Sequence, residues 1–204
     1  MTPEAVALAV RARLPAGAAR HFVALAGPPG AGKSTLAERL TAAFGPEAAL
    51  LPMDGYHLDN AVLDARGTRS RKGAPWTFDT GGLARDLARL RADDGPVLVP
   101  VFDRALDLSR GAAREIGPAV RIVVAEGNYL LLDRAPWSEL AGFWDVTVAL
   151  EVPEPVLEAR LVARWLGHGH SPDEARARAL GNDLPNARMV REESRPADLV
   201  VRTG

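Results

Sequence analysis

The sequence predicts a three-layer α/β fold, with a mostly parallel sheet of about five strands, helices on both faces and a small helical lid. Short apolar runs alternate with segments whose apolar residues recur at helical spacing, as in parallel strands joined by crossover helices. A glycine-rich loop also separates the first such run from the helical segment after it. The 204 residues suffice for one well-buried domain, and we expect residues 1–204 to form it.

The first part of the predicted fold contains apolar strands at 21–26 and 48–54 and helices at 5–10 and 36–44. Both strands are short and almost wholly apolar, as expected for strands covered on both faces. The polar segment that follows, 55–80, contains several glycines and shows no sustained periodicity. Because polar segments of this length inside a compact domain are usually functional, we expect this one to serve the binding site.

The rest of the chain continues the alternation of strands and helices. Residues 103–118 are rich in Arg and Asp and are expected to form a hairpin or loop at the rim. Gly-His-Gly-His at 167–170 breaks a helix, Ser171 is placed to cap the next one, and residues 160–185 are expected to form the lid. The remaining predicted strands are 97–102, 119–125, 146–150 and 197–201, and the helices are 82–93, 136–141, 153–166, 172–180 and 182–193.

Residues 27–35 read GPPGAGKST and fit the phosphate-binding pattern G-x-x-x-x-G-K-[ST]. Glycines let successive backbone N–H groups curl around a phosphate, and the following helix directs its positive N-terminal end at the same place. Lys33 is expected to reach the outer phosphates and Ser34 to offer its hydroxyl to Mg²⁺. Only two of the 25 basic residues are lysines, so a lysine at this position argues for function. The predicted nucleotide-binding residues are Gly27, Pro28, Pro29, Gly30, Ala31, Gly32, Lys33, Ser34 and Thr35.

Composition and charge argue against several classes of function. A formal net charge of −1 leaves no electrostatic footprint for nucleic acid or an anionic membrane. The absence of cysteine excludes disulfides and thiolate chemistry. The apolar run at 5–10 is cut by Arg11 and Arg13, so we expect no signal peptide or membrane span, and a cytoplasmic protein. A homodimer is the commonest oligomeric state of soluble proteins and is possible here, although the sequence does not indicate one.

Two carboxylates follow predicted strands, at the sheet edge where open α/β folds bind ligands. Transfer of a phosphoryl group requires a second molecule, the acceptor, whose hydroxyl group is held in position. Asp54 is the candidate to accept a proton or hydrogen bond from that hydroxyl, and its alternative role is in a turn or helix cap. Glu126 is expected to bind Mg²⁺ through water, with Ser34 as the other metal-facing residue; a plain strand-end charge is the alternative.

Arginines in the predicted lid are candidates to neutralise a transferring phosphoryl group. Arg160 and Arg164 lie four residues apart, on one face of the predicted helix, and surface ion pairs are their alternative role. For Arg176 and Arg178 a surface role is at least as well supported. The histidines at 167–170 favour a lid hinge over a zinc site, because no cysteine or carboxylate cluster accompanies them.

Candidates for contacts to an acceptor molecule come from the polar segment and the rim. They are Asp54, Tyr56, His57, Asp79, Asp103 and Arg104. Aromatic residues that either line this pocket or pack in the core are Trp76, Phe78, Phe102 and Tyr129. Arg69, Arg71 and Lys72 could instead form the second phosphate site of a nucleoside monophosphate kinase.

Residues 22–201 resemble the P-loop kinase superfamily of uridine kinase, phosphoribulokinase and bacterial pantothenate kinase. MDGYHLDN at 53–60 is similar to the pantothenate kinase segment with the catalytic aspartate, which implies that role for Asp54. Matching segments also include RKGAPWTFD at 71–79, PVFD at 100–103, EGNYLLL at 126–132 and RLVAR at 160–164. With GNDLPNARMV at 181–190, the pattern resembles a subgroup described as nucleoside/nucleotide kinase-like or putative fructose-transport-associated kinases.

The resemblance implies the P-loop NTPase fold and an ATP- and Mg²⁺-dependent kinase that phosphorylates an alcohol group of a small metabolite. The expected acceptors are a sugar such as fructose, a pantothenate-like compound or a nucleoside, in that order. Asp107 stands where uridine kinases tend to have a histidine, which disfavours a pyrimidine nucleoside. The alternatives are a P-loop ATPase that acts as a regulatory or partner-binding switch, and a nucleoside monophosphate kinase.

Overall fold

The computed structural model describes residues 1–203. In this range the strands are β1 (His21–Ala26), β2 (Ala48–Pro52), β3 (Val97–Asp103), β4 (Leu108–Ile116), β5 (Ile122–Gly127), β6 (Val146–Glu151) and β7 (Leu199–Arg202). The helices are α1 (Pro3–Arg11), α2 (Lys33–Phe44), α3 (Asn60–Ala65), α4 (Thr80–Ala92), α5 (Glu154–Gly167), α6 (Pro172–Arg178) and α7 (Leu184–Glu193). None of these helices is long and apolar enough to cross a membrane.

Within the described residues the main sheet has five parallel strands in the order β2-β5-β1-β6-β7. All of β5 and nearly all of β1 are buried, because helices cover the sheet on both faces. Leucines of α4 belong to the core on one face, and apolar residues of α1, α2 and α5 belong to the core on the other. The predicted three-layer fold is confirmed.

The parallel register brings the ends of three strands together. Leu25 of β1 and Pro52 of β2 both pair with Glu126 of β5. The segments that follow β1 and β2 therefore leave the sheet on either side of the Glu126 carboxylate. This is the edge at which open parallel sheets bind their ligands.

The predicted strand at 97–102 is present, but its placement in the parallel sheet is wrong. It is β3, which pairs antiparallel with β4 in a separate hairpin, and β4 lies in the predicted rim segment. The connection between them is a few residues long, which permits an antiparallel hairpin but not a parallel crossover. The hairpin lies close to a 3₁₀ turn, Met53–Tyr56, where a Cβ on Gly55 would collide with the Pro100 carbonyl. The glycine thus allows the hairpin to approach Asp54.

Helical turns replace the irregular structure predicted for the polar segment, and they also form the region predicted as a lid. Besides α3, the polar segment contains 3₁₀ turns at Arg69–Arg71 and Pro75–Thr77. The predicted break after α5 is confirmed, and Ser171 caps α6 through a reciprocal capping box with Glu174. A π-helical turn, Ala179–Asp183, then leads directly into α7.

Candidate active site

The glycine-rich loop connects β1 to the first residue of α2. Gly30 and Gly32 have φ angles of +81° and +88°, a left-handed conformation that glycine adopts without steric cost. Lys33 is buried, and its Nζ donates to the carbonyl oxygen of Pro28 at 2.9 Å. Burial lowers the pKa of Lys33, and the carboxylates of Glu126 and Asp54 oppose that shift. A cation and two carboxylates are therefore grouped at the end of the sheet.

A hydroxyl and a carboxylate form the next part of the site. The Ser34 hydroxyl donates to Glu126 Oε1 at 3.2 Å. Glu126 is buried; burial raises its pKa, and the nearby ammonium of Lys33 lowers it. Two hard oxygen ligands beside a phosphate-binding loop suit Mg²⁺, which keeps several waters and takes further oxygens from phosphates. The residues at this position thus fit a magnesium ion.

Asp54 lies in the 3₁₀ turn that follows β2. Its Oδ2 accepts a hydrogen bond from the Arg104 guanidinium at 3.0 Å, and its side chain is about a quarter exposed at 27%. Arg104 comes from the turn of the β3–β4 hairpin, so the close approach of the hairpin places this cation. The partly open carboxylate is oriented by a charged group on one side and accessible on the other.

One cavity of about 1100 Å³ connects the loop, Asp54 and the lid region. The residues named from the sequence as site candidates that line it are Pro29, Gly30, Gly32, Lys33, Ser34, Thr35, Asp54, His57, Arg69, Lys72, Phe78, Phe102, Arg104, Glu126 and Arg164. Gly27 and Pro28 line a second cavity, of about 900 Å³, on the β6–β7 side of the loop, whereas Ala31 is buried and lines neither. The loop therefore separates two spaces.

Three predicted acceptor contacts do not line either cavity. The Tyr56 hydroxyl donates to a carboxylate of α4 at 2.8 Å, and Asp79 is the N-cap of α4. Asp103 accepts two backbone N–H groups of the β3–β4 turn, both at 3.1 Å. These side chains are oriented toward local structural partners, and the structure does not bring them to the cavity.

The two predicted lid arginines are not equivalent. Arg164, in the last turn of α5, lines the larger cavity, with a guanidinium nitrogen 3.9 Å from Asp183 Oδ1. Arg160, one turn earlier, is exposed and does not line the cavity. The difference arises because only the C-terminal turn of α5 reaches the cavity.

His57 is held between two aromatic rings on the cavity wall. Its ring centroid lies 4.1 Å from that of Phe78 and 4.7 Å from that of Phe102. Its Nδ1 is buried without a hydrogen-bond partner in the described residues. Burial lowers the pKa of His57 to about 4, although the nearby Asp54 carboxylate favours the charged form. His57 therefore presents a neutral imidazole to the cavity.

Acid should destabilise the fold through His57. The unfolded imidazole binds a proton below its ordinary pKa of 6.5, whereas the folded one does so only near its pKa of about 4. The free energy of unfolding should therefore fall as pH decreases through this window, by about 2 kcal/mol between about pH 7.5 and about pH 5. Urea unfolding of the wild type and His57→Phe should show this loss in the wild type only. His168→Phe, at the exposed C-terminal end of α5, is the control; an equal acid dependence in wild type and His57→Phe would refute the assignment.

Several cavity residues were missed by the sequence-based prediction. Arg178, for which a surface role is at least as well supported by the sequence, lines the cavity, and its guanidinium carbon lies 4.9 Å from the Trp165 ring centroid. Asn186 is 2% exposed, lines the cavity and has a side-chain oxygen without a partner in the described residues. Asn182 and Asp183 complete this wall. The available signal was the polar spacing in GNDLPN at 181–186, with asparagines four residues apart on one helix face.

Comparisons with known proteins agree with this geometry. A family model described as magnesium chelatase, subunit ChlI, matches residues 5–52, which include the phosphate-binding loop. The crystal structure of a putative fructose transport system kinase from Silicibacter sp. TM1040 is 49% identical, with a TM-score of 0.94 over 98% of this chain and 99% of that one. Putative uridine kinase C227.14 of Schizosaccharomyces pombe is 36% identical over 90% of this chain and 83% of its own length.

A pantothenate kinase of Nitrobacter hamburgensis is 31% identical over 72% of this chain, which spans 49% of that longer protein. The similarity to the Silicibacter and Schizosaccharomyces proteins extends over nearly the whole chain. The chain therefore belongs to the P-loop kinase superfamily of uridine kinase, phosphoribulokinase and bacterial pantothenate kinase.

Proposed function

We propose that this kinase uses ATP and Mg²⁺ to phosphorylate an alcohol group of a small polar metabolite in the cytoplasm. The observation that carries the proposal is the convergence of the loop, the Ser34–Glu126 pair and Asp54 on one cavity of about 1100 Å³. That space exceeds the range typical of a single drug-sized ligand, so a triphosphate and a second small molecule fit together.

The loop and its neighbours would bind the phosphates. Backbone N–H groups of the loop and the Lys33 ammonium hold the β- and γ-phosphates, and Ser34 and Glu126 hold Mg²⁺ directly or through water. Bound Mg²⁺ would supply charge neutralisation to the phosphate oxygens. Because Lys33 already lies in a buried position beside two carboxylates, it needs little reorganisation to bind a phosphate.

Asp54 would position the acceptor for transfer. The acceptor oxygen forms a bond to the γ-phosphorus while the bond to the β–γ bridging oxygen breaks and ADP leaves. The hydroxyl proton passes to the Asp54 carboxylate, which Arg104 orients from 3.0 Å. Arg164 enters from the lid, residues 160–185, to neutralise the developing charge, and lid closure excludes water that would otherwise accept the phosphoryl group.

The second cavity would bind the nucleoside part of ATP. It lies beside Gly27 and Pro28, at the ends of β6 and β7, so a nucleotide whose phosphates follow the loop extends into it. Most of its lining is apolar, as an aromatic base requires. Ser194 and Thr203 also line it, and their buried hydroxyl oxygens have no hydrogen-bond partner in the described residues.

The acceptor would be a sugar or a similarly hydroxyl-rich compound, with fructose as the first candidate. The Silicibacter relative, 49% identical, is named a putative fructose transport system kinase, and His57, Asp54 and Arg104 offer polar contacts around the acceptor space. A nucleoside monophosphate is disfavoured because two of the three cations proposed for its phosphate are paired with carboxylates. Lys72 pairs with Asp107 at 2.9 Å, and Arg69 pairs with Asp64 at 2.9 Å.

The test is a screen for ADP release with fructose, other sugars, pantothenate and uridine, each at saturating Mg·ATP. We expect one acceptor to stimulate ADP release and to appear as its phosphomonoester by mass spectrometry. Turnover indifferent to every acceptor, with Mg·ATP still bound, would favour the regulatory ATPase instead. Lys33→Met, which removes the ammonium at the loop, is the background control.

A further inference from the structure

We propose that Asn182 is a positioning residue that links the wall of the acceptor space to the lid helix that carries Arg164. The inference rests on the proposed function, because it assigns the two linked segments to the acceptor and to the nucleotide phosphates. It gives a role to the GNDLPN segment at 181–186, which the mechanism above does not use.

Asn182 contacts the acceptor side with both ends of its amide. Its Oδ1 accepts a hydrogen bond from Arg71 Nε at 3.0 Å, and its Nδ2 donates to the Lys72 carbonyl oxygen at 3.1 Å. Because a donor and an acceptor are both used, the amide orientation is fixed, and 110 residues of chain separate the partners. This contact joins the π-helical turn Ala179–Asp183 to the segment around Lys72.

The segment on the acceptor side is itself well anchored. Lys72 and Gly73 line the larger cavity, and the Gly73 carbonyl accepts a hydrogen bond from the Tyr129 hydroxyl at 2.6 Å. The Lys72 ammonium donates to Asn60 Oδ1 at 2.8 Å and lies 5.1 Å from the Phe102 ring centroid. Lys72 and Gly73 are therefore part of a cavity wall that an acceptor molecule would touch.

The next residue, Asp183, contacts the lid helix. It is 6% exposed, and its Oδ2 accepts a hydrogen bond from Trp165 Nε1 at 2.7 Å. Arg164 lies 3.9 Å from its Oδ1. Consecutive residues of one π-turn thus hold the acceptor wall and the end of α5. Since π-turns occur often at functional sites and Asn182 is the direct contact to the wall, a shift of the wall or of the end of α5 at Trp165 is transmitted through it.

Hydrogen–deuterium exchange with Mg·AMP-PNP tests this link without knowledge of the acceptor. In the wild type, nucleotide should slow exchange at residues 27–35 and also at residues 69–75. In Asn182→Ala the loop protection should remain, while the nucleotide-dependent protection at 69–75 should fall by about tenfold or more, as expected for two lost hydrogen bonds. Asn60→Ala, which removes a different asparagine contact to Lys72, should behave like the wild type.

The outcomes separate the two proposals. Absence of wild-type protection at 27–35 would overturn nucleotide binding and hence the proposed function. Protection at 27–35 without protection at 69–75, or equal protection at 69–75 in wild type and Asn182→Ala, would overturn the link alone. Asn182→Asp keeps the oxygen that contacts Arg71 and loses the donor to Lys72, so it should retain part of the protection. It provides the same test if the alanine variant does not fold.

Discussion

Asp54→Asn should lower kcat by about 10³-fold, within the range for removal of a positioned general base. The amide has the same shape as the carboxylate but cannot take up the hydroxyl proton. Arg104, now 3.0 Å from the carboxylate, would face a neutral group. The measurement is acceptor-dependent ADP release, together with the Kd for Mg·AMP-PNP by calorimetry, which should change by less than about tenfold because the loop contacts remain.

Asp103→Asn is the matched control for that experiment. Asp103 carries the same functional group and lies in the hairpin that supplies Arg104, but it caps the β3–β4 turn through two backbone N–H groups. Asparagine can accept those bonds too, so kcat should change by less than about tenfold. Comparable losses in the two variants would mean that Asp54 acts through the hairpin structure and not on the acceptor hydroxyl.

The features predicted well from the sequence are those fixed by short stretches of chain. The loop sequence specifies its own backbone shape, and strand ends in a parallel sheet meet at one edge, so Lys33, Ser34, Asp54 and Glu126 could be placed together in advance. The strand at 97–102 was recognised by its apolar pattern, but that pattern does not specify a pairing partner. Its partner, β4, is mostly exposed and polar, and therefore lacks the apolar pattern by which a strand is recognised. The antiparallel pairing of 97–102 with β4 could thus not be predicted.

The residues that could not be predicted depend on contacts between distant segments. Asn182 contacts Lys72, which lies 110 residues away in the sequence. Patterns among neighbouring residues do not predict a contact between segments so far apart. Tyr56 and Asp79 adjoin the right segment, yet their side chains turn to α4 because a nearby helix offers hydrogen-bond partners. A motif therefore locates the neighbourhood of a site, whereas side-chain direction is decided by packing.

Arg164→Ala should lower kcat by about 10³-fold or more, in the range known for arginine fingers. Its present contacts are weak: a 3.9 Å approach to Asp183 and a 5.2 Å approach to the Trp165 ring centroid, with 40% of the side chain exposed. A cation held so loosely at the cavity edge can move to a transferring phosphoryl group at little cost.

Arg160→Ala tests whether the loss of activity in Arg164→Ala comes from Arg164 itself or from the removal of any positive charge on α5. Both variants remove one positive charge from α5, but Arg160 is exposed and does not line the cavity, so its loss should change kcat by less than about tenfold. Initial rates at saturating acceptor and Mg·ATP, with circular dichroism to confirm folding, give the comparison. If Arg160→Ala proved the more damaging change, the arginine that reaches the phosphoryl group would be the one farther from the cavity, and α5 would have to rotate during closure to present it.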